Sequence, residues 1–261
     1  MSLPSLLLLN LGVVLALTTS LWAVSVAVRD SSIVDVFWGF GFMVIAWVTH
    51  AVTDGSHDRA LLLTVLTTLW GLRLTLHLAR RNLGKGEDFR YRAMRARHGD
   101  RWPRRSLWAV FWAQGILMWI VSLPVQAGQA DATPEGLIWL DAVGTAVWLV
   151  GFLFETVGDW QLTRFKADPA NAGQVMDRGL WSWTRHPNYF GDFSVWWGLY
   201  LIALATTSAW WTIAGPILMS VLLIRVSGAA LLERGMADRR PGYEDYVRRT
   251  SGFFPRPPRR L

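Results

Sequence analysis

Seven apolar runs separated by short polar stretches constrain this chain more than any motif within it. They fall at about 3–28, 33–53, 59–80, 106–127, 136–163, 188–207 and 209–232. Each approaches or exceeds the ~20 residues that a helix needs to cross the hydrocarbon core of a bilayer. The expectation is an all-α, polytopic membrane protein with seven transmembrane helices. No Gly/Ser-rich or Pro-rich linker and no soluble-sized segment interrupts the runs, so residues 1–261 are expected to form one domain. The first run, Leu3 to Val28, lacks a basic leading region and a small-residue cleavage site, and is expected to be a retained span.

The basic residues orient the spans. With the N-terminus outside, 24 of the 26 Lys and Arg residues fall at Arg29, in 80–105, in 164–187 and in the tail from Arg225, all on the cytoplasmic side. Arg59 is then expected outside, and Arg73 within the third span. The loop Gln126–Glu135 carries Asp131 and Glu135 and no base, as an outer loop should. The expected topology is N-out, C-in. A net charge of +7 concentrated in short loops is explained by topology and anionic lipid, and does not call for nucleic acid. No internal repeat supports an inverted-repeat transporter. The absence of Cys excludes disulfides, thiolate metal sites and thiol nucleophiles.

Ionisable groups inside apolar runs are functional hypotheses, because hydrocarbon penalises each by several kcal/mol unless it is paired or hydrated. The densest group is Trp181-Ser-Trp-Thr-Arg-His-Pro-Asn-Tyr-Phe-Gly-Asp192, which brings Arg185, His186, Asn188, Tyr189 and Asp192 to the start of the sixth span. In the fifth span Glu155, Asp159 and Lys166 share a helical stripe running to the cytoplasmic end, with Arg164 beside it. Carboxylates followed by cations suit a ligand with hydroxyls or an amide at one end and phosphates at the other. An ion-pair stripe holding helices together accounts for them equally. Arg225 ends the seventh run, with Gly228, Ala229, Glu233 and Arg234 after it. It could face a ligand or snorkel to the headgroups. The tail from Arg239 supplies Tyr243 and Tyr246 amid bases, as an amphipathic segment that caps a cofactor or lies on lipid.

In the N-terminal half, Asp35 starts the second span in Ser-Ile-Val-Asp-Val-Phe-Trp-Gly39, a lone carboxyl among apolar neighbours that burial would keep protonated. Arg73 and His77, four apart, share a face of the third span; an Asp35–Arg73 bridge is the plain alternative. The loop Gly86-Glu-Asp-Phe-Arg-Tyr91 reads as a lid or as a basic surface loop.

The Trp-Thr-Arg-His-Pro-Asn-Tyr-Phe-Gly-Asp segment, the Glu155/Asp159 stripe and the Pro-Gly-Tyr-Glu-Asp-Tyr tail resemble the steroid 5α-reductase family, closest to its bacterial membrane branch. The resemblance extends to the N-terminal half through Ser-Ile-Val-Asp-Val-Phe-Trp-Gly, Trp-Gly-Leu-Arg-Leu and Glu-Asp-Phe-Arg-Tyr. It implies a seven-helix fold in a bacterial inner membrane, with NADPH in a cavity facing the cytoplasm and reduction of the C=C bond of a 3-oxo-Δ4 steroid or similar lipophilic enone. Spans 3–127 would then form the substrate side and 136–261 the cofactor side. The family's Asp in the fifth span falls on Asp159, with Glu155 where relatives often carry Asn. Its Asn and acidic residue at the sixth span fall on Asn188 and Asp192, and its Arg in the seventh falls on Arg225. Two departures stand out: the Gln-Glu pair of eukaryotic members reads Val34-Asp35 here, and the third span has no Tyr.

On this reading the nucleotide is held by helices, since no Gly-rich Rossmann fingerprint follows a strand. Its residues are Glu155, Asp159, Arg164, Lys166, Arg178, Trp181, Arg185, His186, Asn188, Tyr189, Asp192, Arg225, Glu233, Tyr243 and Tyr246. The enolate that develops on hydride addition needs a positioned donor, assigned to protonated Asp35 with Arg73 or His77 assisting. Arg-His-Pro-x-Tyr-x-Gly also resembles isoprenylcysteine carboxyl methyltransferases, which use S-adenosylmethionine; the bases Arg164, Lys166, Arg178 and Arg185 favour a dinucleotide. A non-enzymatic lipid-binding or transport protein is the remaining alternative.

Overall fold

A computed structural model describes residues 1–82, 84–226, 233, 236 and 240–259. They form two compact units, residues 1–141 with 202–215 and residues 142–201 with 216–261. In chain order the helices are α1 (Leu3–Val28), α2 (Ile33–Val52), α3 (His57–Asn82), α4 (Phe89–Val121), α5 (Leu123–Ala130), α6 (Trp139–Ala167), α7 (Pro187–Ala203), α8 (Trp210–Val226) and α9 (Tyr243–Arg249). Among the described residues there is no strand, and a single backbone bridge pairs Thr184 with Ser251.

The chain is all-helical, and length and composition qualify α1, α2, α3 and α6 to cross a membrane. Helices α4 and α5, bent by 45° at Ser122, supply a fifth span if they cross as one. The runs expected as sixth and seventh spans appear as α7 and α8, of which α7 has 17 residues and α8 is likewise among the shorter apolar helices. At 1.5 Å per residue, seventeen residues reach about 25 Å, short of the ~30 Å hydrocarbon core.

In the first unit, α1 shows how these helices are organised. Its buried residues Leu6, Asn10, Val14 and Thr18 recur every four positions, while large apolar side chains such as Leu8 stay exposed. The inward stripe is the more polar one, as expected when lipid is as apolar as the protein interior. Asn10 donates to Thr49 Oγ1 at 2.8 Å and to Gln126 Oε1 at 3.0 Å. Helices α2 and α3 pack backbone to backbone at Gly39 and Gly71, where a Cβ on Gly39 would stand 2.2 Å from Gly71 O.

One loop expectation changes. Gln126–Glu135 is not all loop: residues to Ala130 are helical, with Gln126 and Gln129 fully buried. Arg59, at the start of the expected third span, is a buried side chain. It is 0% exposed, with Nε and Nη2 donating to Asp141 at 3.0 and 3.1 Å and Nη1 and Nη2 donating to the carbonyls of Pro134 and Gly136 at 3.0 and 2.8 Å. A guanidinium can be buried this way because each fork finds an acceptor.

In the second unit, α6 and α7 cross at Gly151 and Gly191, where a Cβ on Gly191 would lie 2.6 Å from Gly151 O and 2.4 Å from Glu155 N. The tail returns under the loop before α7: Thr184 Oγ1 donates to Phe253 O at 2.7 Å, and Arg256 N donates to Trp183 O at 3.0 Å.

Candidate functional site

The second unit builds its polar site from the close α6–α7 crossing. Glu155 and Asp159 stand one turn apart on α6 and are 3% and 7% exposed. Because Gly191 lets the helices touch, Asn188 at the start of α7 comes opposite Asp159, and its Nδ2 donates to Asp159 Oδ1 at 2.9 Å. The Asn188 Oδ1 accepts from Tyr189 N at 3.1 Å. Asp192 lies one turn further along α7, half-buried. Trp181 is buried and donates from Nε1 to Gly158 O at 3.0 Å. Glu155, Asp159, Asn188, Asp192 and Trp181 thus lie along the α6–α7 crossing and the loop before α7.

The arginine and histidine of the motif are engaged differently. Arg185 donates to both oxygens of Glu233, at 2.8 and 3.2 Å, and to Thr250 O at 2.9 Å. His186 Nε2 meets Glu233 Oε1 at 2.8 Å, and its ring stacks on Tyr189 with centroids 5.7 Å apart. Burial alone would push the Glu233 carboxyl up; the hydrogen bonds from His186 and Arg185, with the charge on Arg185, hold it down at about 2. Glu233 is therefore a carboxylate, and His186 is the donor. Tyr246 donates to Trp181 O at 2.7 Å, and burial pushes the phenols of Tyr243 and Tyr246 up, so both are un-ionised at neutral pH. Arg185, His186, Glu233, Tyr243 and Tyr246 thus knit the loop to the tail. Arg185 is not a free base for a phosphate.

The remaining cations sit outside this knot. Arg164, Lys166, Arg178 and Arg225 are exposed, and Arg164 lies over the Trp160 ring at 5.2 Å from its centroid. Gly228, Ala229, Arg234 and Arg239 lie outside the described residues.

In the first unit, Asp35 is not an isolated carboxyl. Arg90 Nη2 donates to Asp35 Oδ2 and Tyr91 Oη donates to Asp35 Oδ1, each at 2.7 Å. Behind the phenol, Gln114 Nε2 donates to Tyr91 Oη at 3.1 Å, and Trp38 Nε1 donates to Gln114 Oε1 at 2.5 Å. Asp35 thus has a partner on each oxygen, a guanidinium on one and a phenol on the other. The loop before α4 locks this geometry. Asp88 caps the helix, accepting from Arg90 N and Arg90 Nε at 2.9 Å. Glu87 takes Ser31 N at 2.8 Å and both forks of Arg95 at 2.9 and 2.8 Å. Burial raises the Glu87 carboxyl, but these donors win and hold it below the usual carboxylate range. Arg73 and His77 are half-buried one turn apart on α3.

Residues 21–250 match the family described as Protein of unknown function (DUF1295). The chain belongs to this family. The match takes in both polar clusters, from Asp35 and Tyr91 to Asn188 and Tyr246. A relative in Schizosaccharomyces pombe, an uncharacterized protein, is 25% identical over 266 residues, covering 90% of this chain and 76% of its own length. No solved structure matches.

Arg90, Tyr91, Gln114 and Trp38 escaped the sequence reading. The Glu-Asp-Phe-Arg-Tyr segment stood out, but pairing it with a carboxyl 55 or 56 positions earlier needs the α2–α4 packing. The one available signal was local: Asp88 followed by a basic helix start reads as an N-cap.

Proposed function

We propose that this protein is an NADPH-dependent oxidoreductase that reduces the C=C bond of a 3-oxo-Δ4 steroid or similar lipophilic enone. The observation that carries the reading is the buried Glu155, Asp159 and Asn188 set at the α6–α7 crossing, which coincides with the nucleotide residues of the family the sequence resembles. Membership in DUF1295, a family associated with steroid 5α-reductase-like membrane proteins, supports it. The donor chemistry fits a nucleotide: carboxylates accept from ribose hydroxyls or a carboxamide, and Arg164, Lys166 and Arg178 are exposed cations for phosphates. When bound, NADPH supplies the hydride.

This chain's residues then handle the carbonyl. Charge grows on its oxygen as hydride adds to the β-carbon, and a positioned O–H donor stabilises that charge. Tyr91 is our donor. Asp35 orients the phenol through the 2.7 Å bond, Gln114 steadies its oxygen, and Arg90 balances the carboxylate. The substrate's oxygen competes with Asp35 for the phenolic proton. Arg73 and His77 assist from α3. The reading includes seven spans, N-out and C-in, in a bacterial inner membrane with the cofactor residues toward the cytoplasm and lipid as the source of substrate.

One observation favours a second reading. Arg185 is tied to Glu233, which leaves fewer bases for a dinucleotide and gives weight to an S-adenosylmethionine-dependent methyltransferase. Detergent-purified protein titrated with NADPH and with S-adenosylmethionine decides between them. NADPH alone should bind, and Asp159→Ala and Asn188→Ala should each weaken it by about 1.5–3 kcal/mol, the loss for a charge-assisted bond. Binding of S-adenosylmethionine alone would overturn the reductase reading.

A further inference from the structure

Helix α4 carries a second polar feature, separate from the Asp35 cluster. Arg97, Arg101, Arg104 and Trp108 follow one another at spacings of four, three and four along the helix, with Arg105 next to Arg104. With His98 they line an open cleft of about 790 Å³. The four guanidinium groups are exposed, and none has an acid or carbonyl partner among the described residues. Two other arginines of the same helix are paired, Arg90 with Asp35 and Asp88 and Arg95 with Glu87, while Arg92 is exposed outside the cleft. Like charges at i and i+4 repel, so an anion joining the Arg97–Arg101–Arg105 row would relieve a repulsion that Asp100 alone opposes within this stretch of sequence.

The cleft also has a wet end and an apolar end. Trp108 is 62% exposed and lies edge-on to Trp112, with centroids 4.3 Å apart. The helix turns π-helical at Leu107–Trp112 and runs on as the apolar stretch Ala113–Val121. An exposed Trp at the junction of a basic segment and an apolar one marks the headgroup level of a bilayer. His98 Nδ1 is engaged by Met94 O at 2.7 Å.

We propose that this cleft is a binding site for the phosphate of an anionic glycerophospholipid, with Arg97, Arg101, Arg104 and Arg105 holding the phosphate and Trp108 seated at the acyl boundary. The ligand chemistry is a phosphate diester. Its source is the membrane rather than a free anion, because the site opens where the apolar stretch begins.

The test uses full-length protein in detergent, titrated with phosphatidylglycerol, phosphatidylcholine or inorganic phosphate, with retained lipid read by native mass spectrometry and stability by thermal unfolding. Phosphatidylglycerol should be retained and should raise the unfolding temperature. The R101Q/R104Q/R105Q variant should bind it roughly 100-fold more weakly, at about 1 kcal/mol per basic residue near the surface and about 1.4 kcal/mol per decade. Arg92→Gln, an exposed arginine of the same helix outside the cleft lining, should leave retention unchanged. A photoreactive phosphatidylglycerol on wild-type protein should label the peptide spanning 97–108, which keeps the proposal testable if the triple variant does not fold. Equal retention by the triple variant, equal retention of phosphatidylcholine, stabilisation by inorganic phosphate to the same degree, or labelling elsewhere would each overturn it.

Discussion

Replacing Asp141 by Ala should destabilise the protein far more than removing Arg59 and Asp141 together. Arg59 is 0% exposed, and Asp141 accepts from its Nε and Nη2 and also from Ile138 N at 2.7 Å. In Asp141→Ala the carbonyls of Pro134 and Gly136 still accept, but the positive charge loses its directly bonded carboxylate, with the longer-range field of Asp131 remaining. Breaking a buried pair by deleting one partner costs about 3–5 kcal/mol. At roughly 2–4 °C per kcal/mol for a chain of this size, thermal unfolding in detergent should fall by about 6–20 °C. A double replacement, Arg59→Leu with Asp141→Leu, removes the charge as well as its partner and should recover most of that loss. The reasoning fails if Asp141→Ala shifts unfolding by less than ~2 °C, or if the double variant is as damaged as the single one.

Glu233 should make stability acid-sensitive. Its folded pKa, about 2, lies below its ordinary value of 4.5, so its contribution is present above pH 4.5 and is lost as pH falls toward 2. Glu233→Gln should flatten that part of the stability–pH curve; an unchanged acid limb would remove the Arg185–Glu233–His186 link from the account. If Tyr91 polarises the carbonyl, Tyr91→Phe should lower enone-dependent NADPH oxidation by about 10²–10³ while NADPH affinity holds. Asp35→Asn should lower it less, and normal turnover in Tyr91→Phe would return the donor role to Asp35 or α3. Gly39→Ala should lower stability by about 1–3 kcal/mol or more, because its Cβ would meet the Gly71 carbonyl rather than a movable side chain; unchanged unfolding would mean that α2 and α3 can part without loss.

The helical class was legible from the sequence because it rests on local properties: the length of apolar runs and the spacing of polar residues along them. Glu155, Asp159, Asn188, Trp181 and Tyr189 could be grouped for the same reason, being close along one helix or within one motif. What only the tertiary structure decided was which charges are neutralised. Arg185 read as a phosphate-binding base until Glu233, 48 positions away, proved to hold both its forks. Asp35 read as a lone acid until Arg90 and Tyr91 came round to it. Arg59 counted only as a base on the outer side until Asp141, 82 positions away, was found beside it in the interior. An ionisable group's state depends on the field of neighbours within a few ångströms, and those neighbours arrive through helix packing that no local pattern encodes.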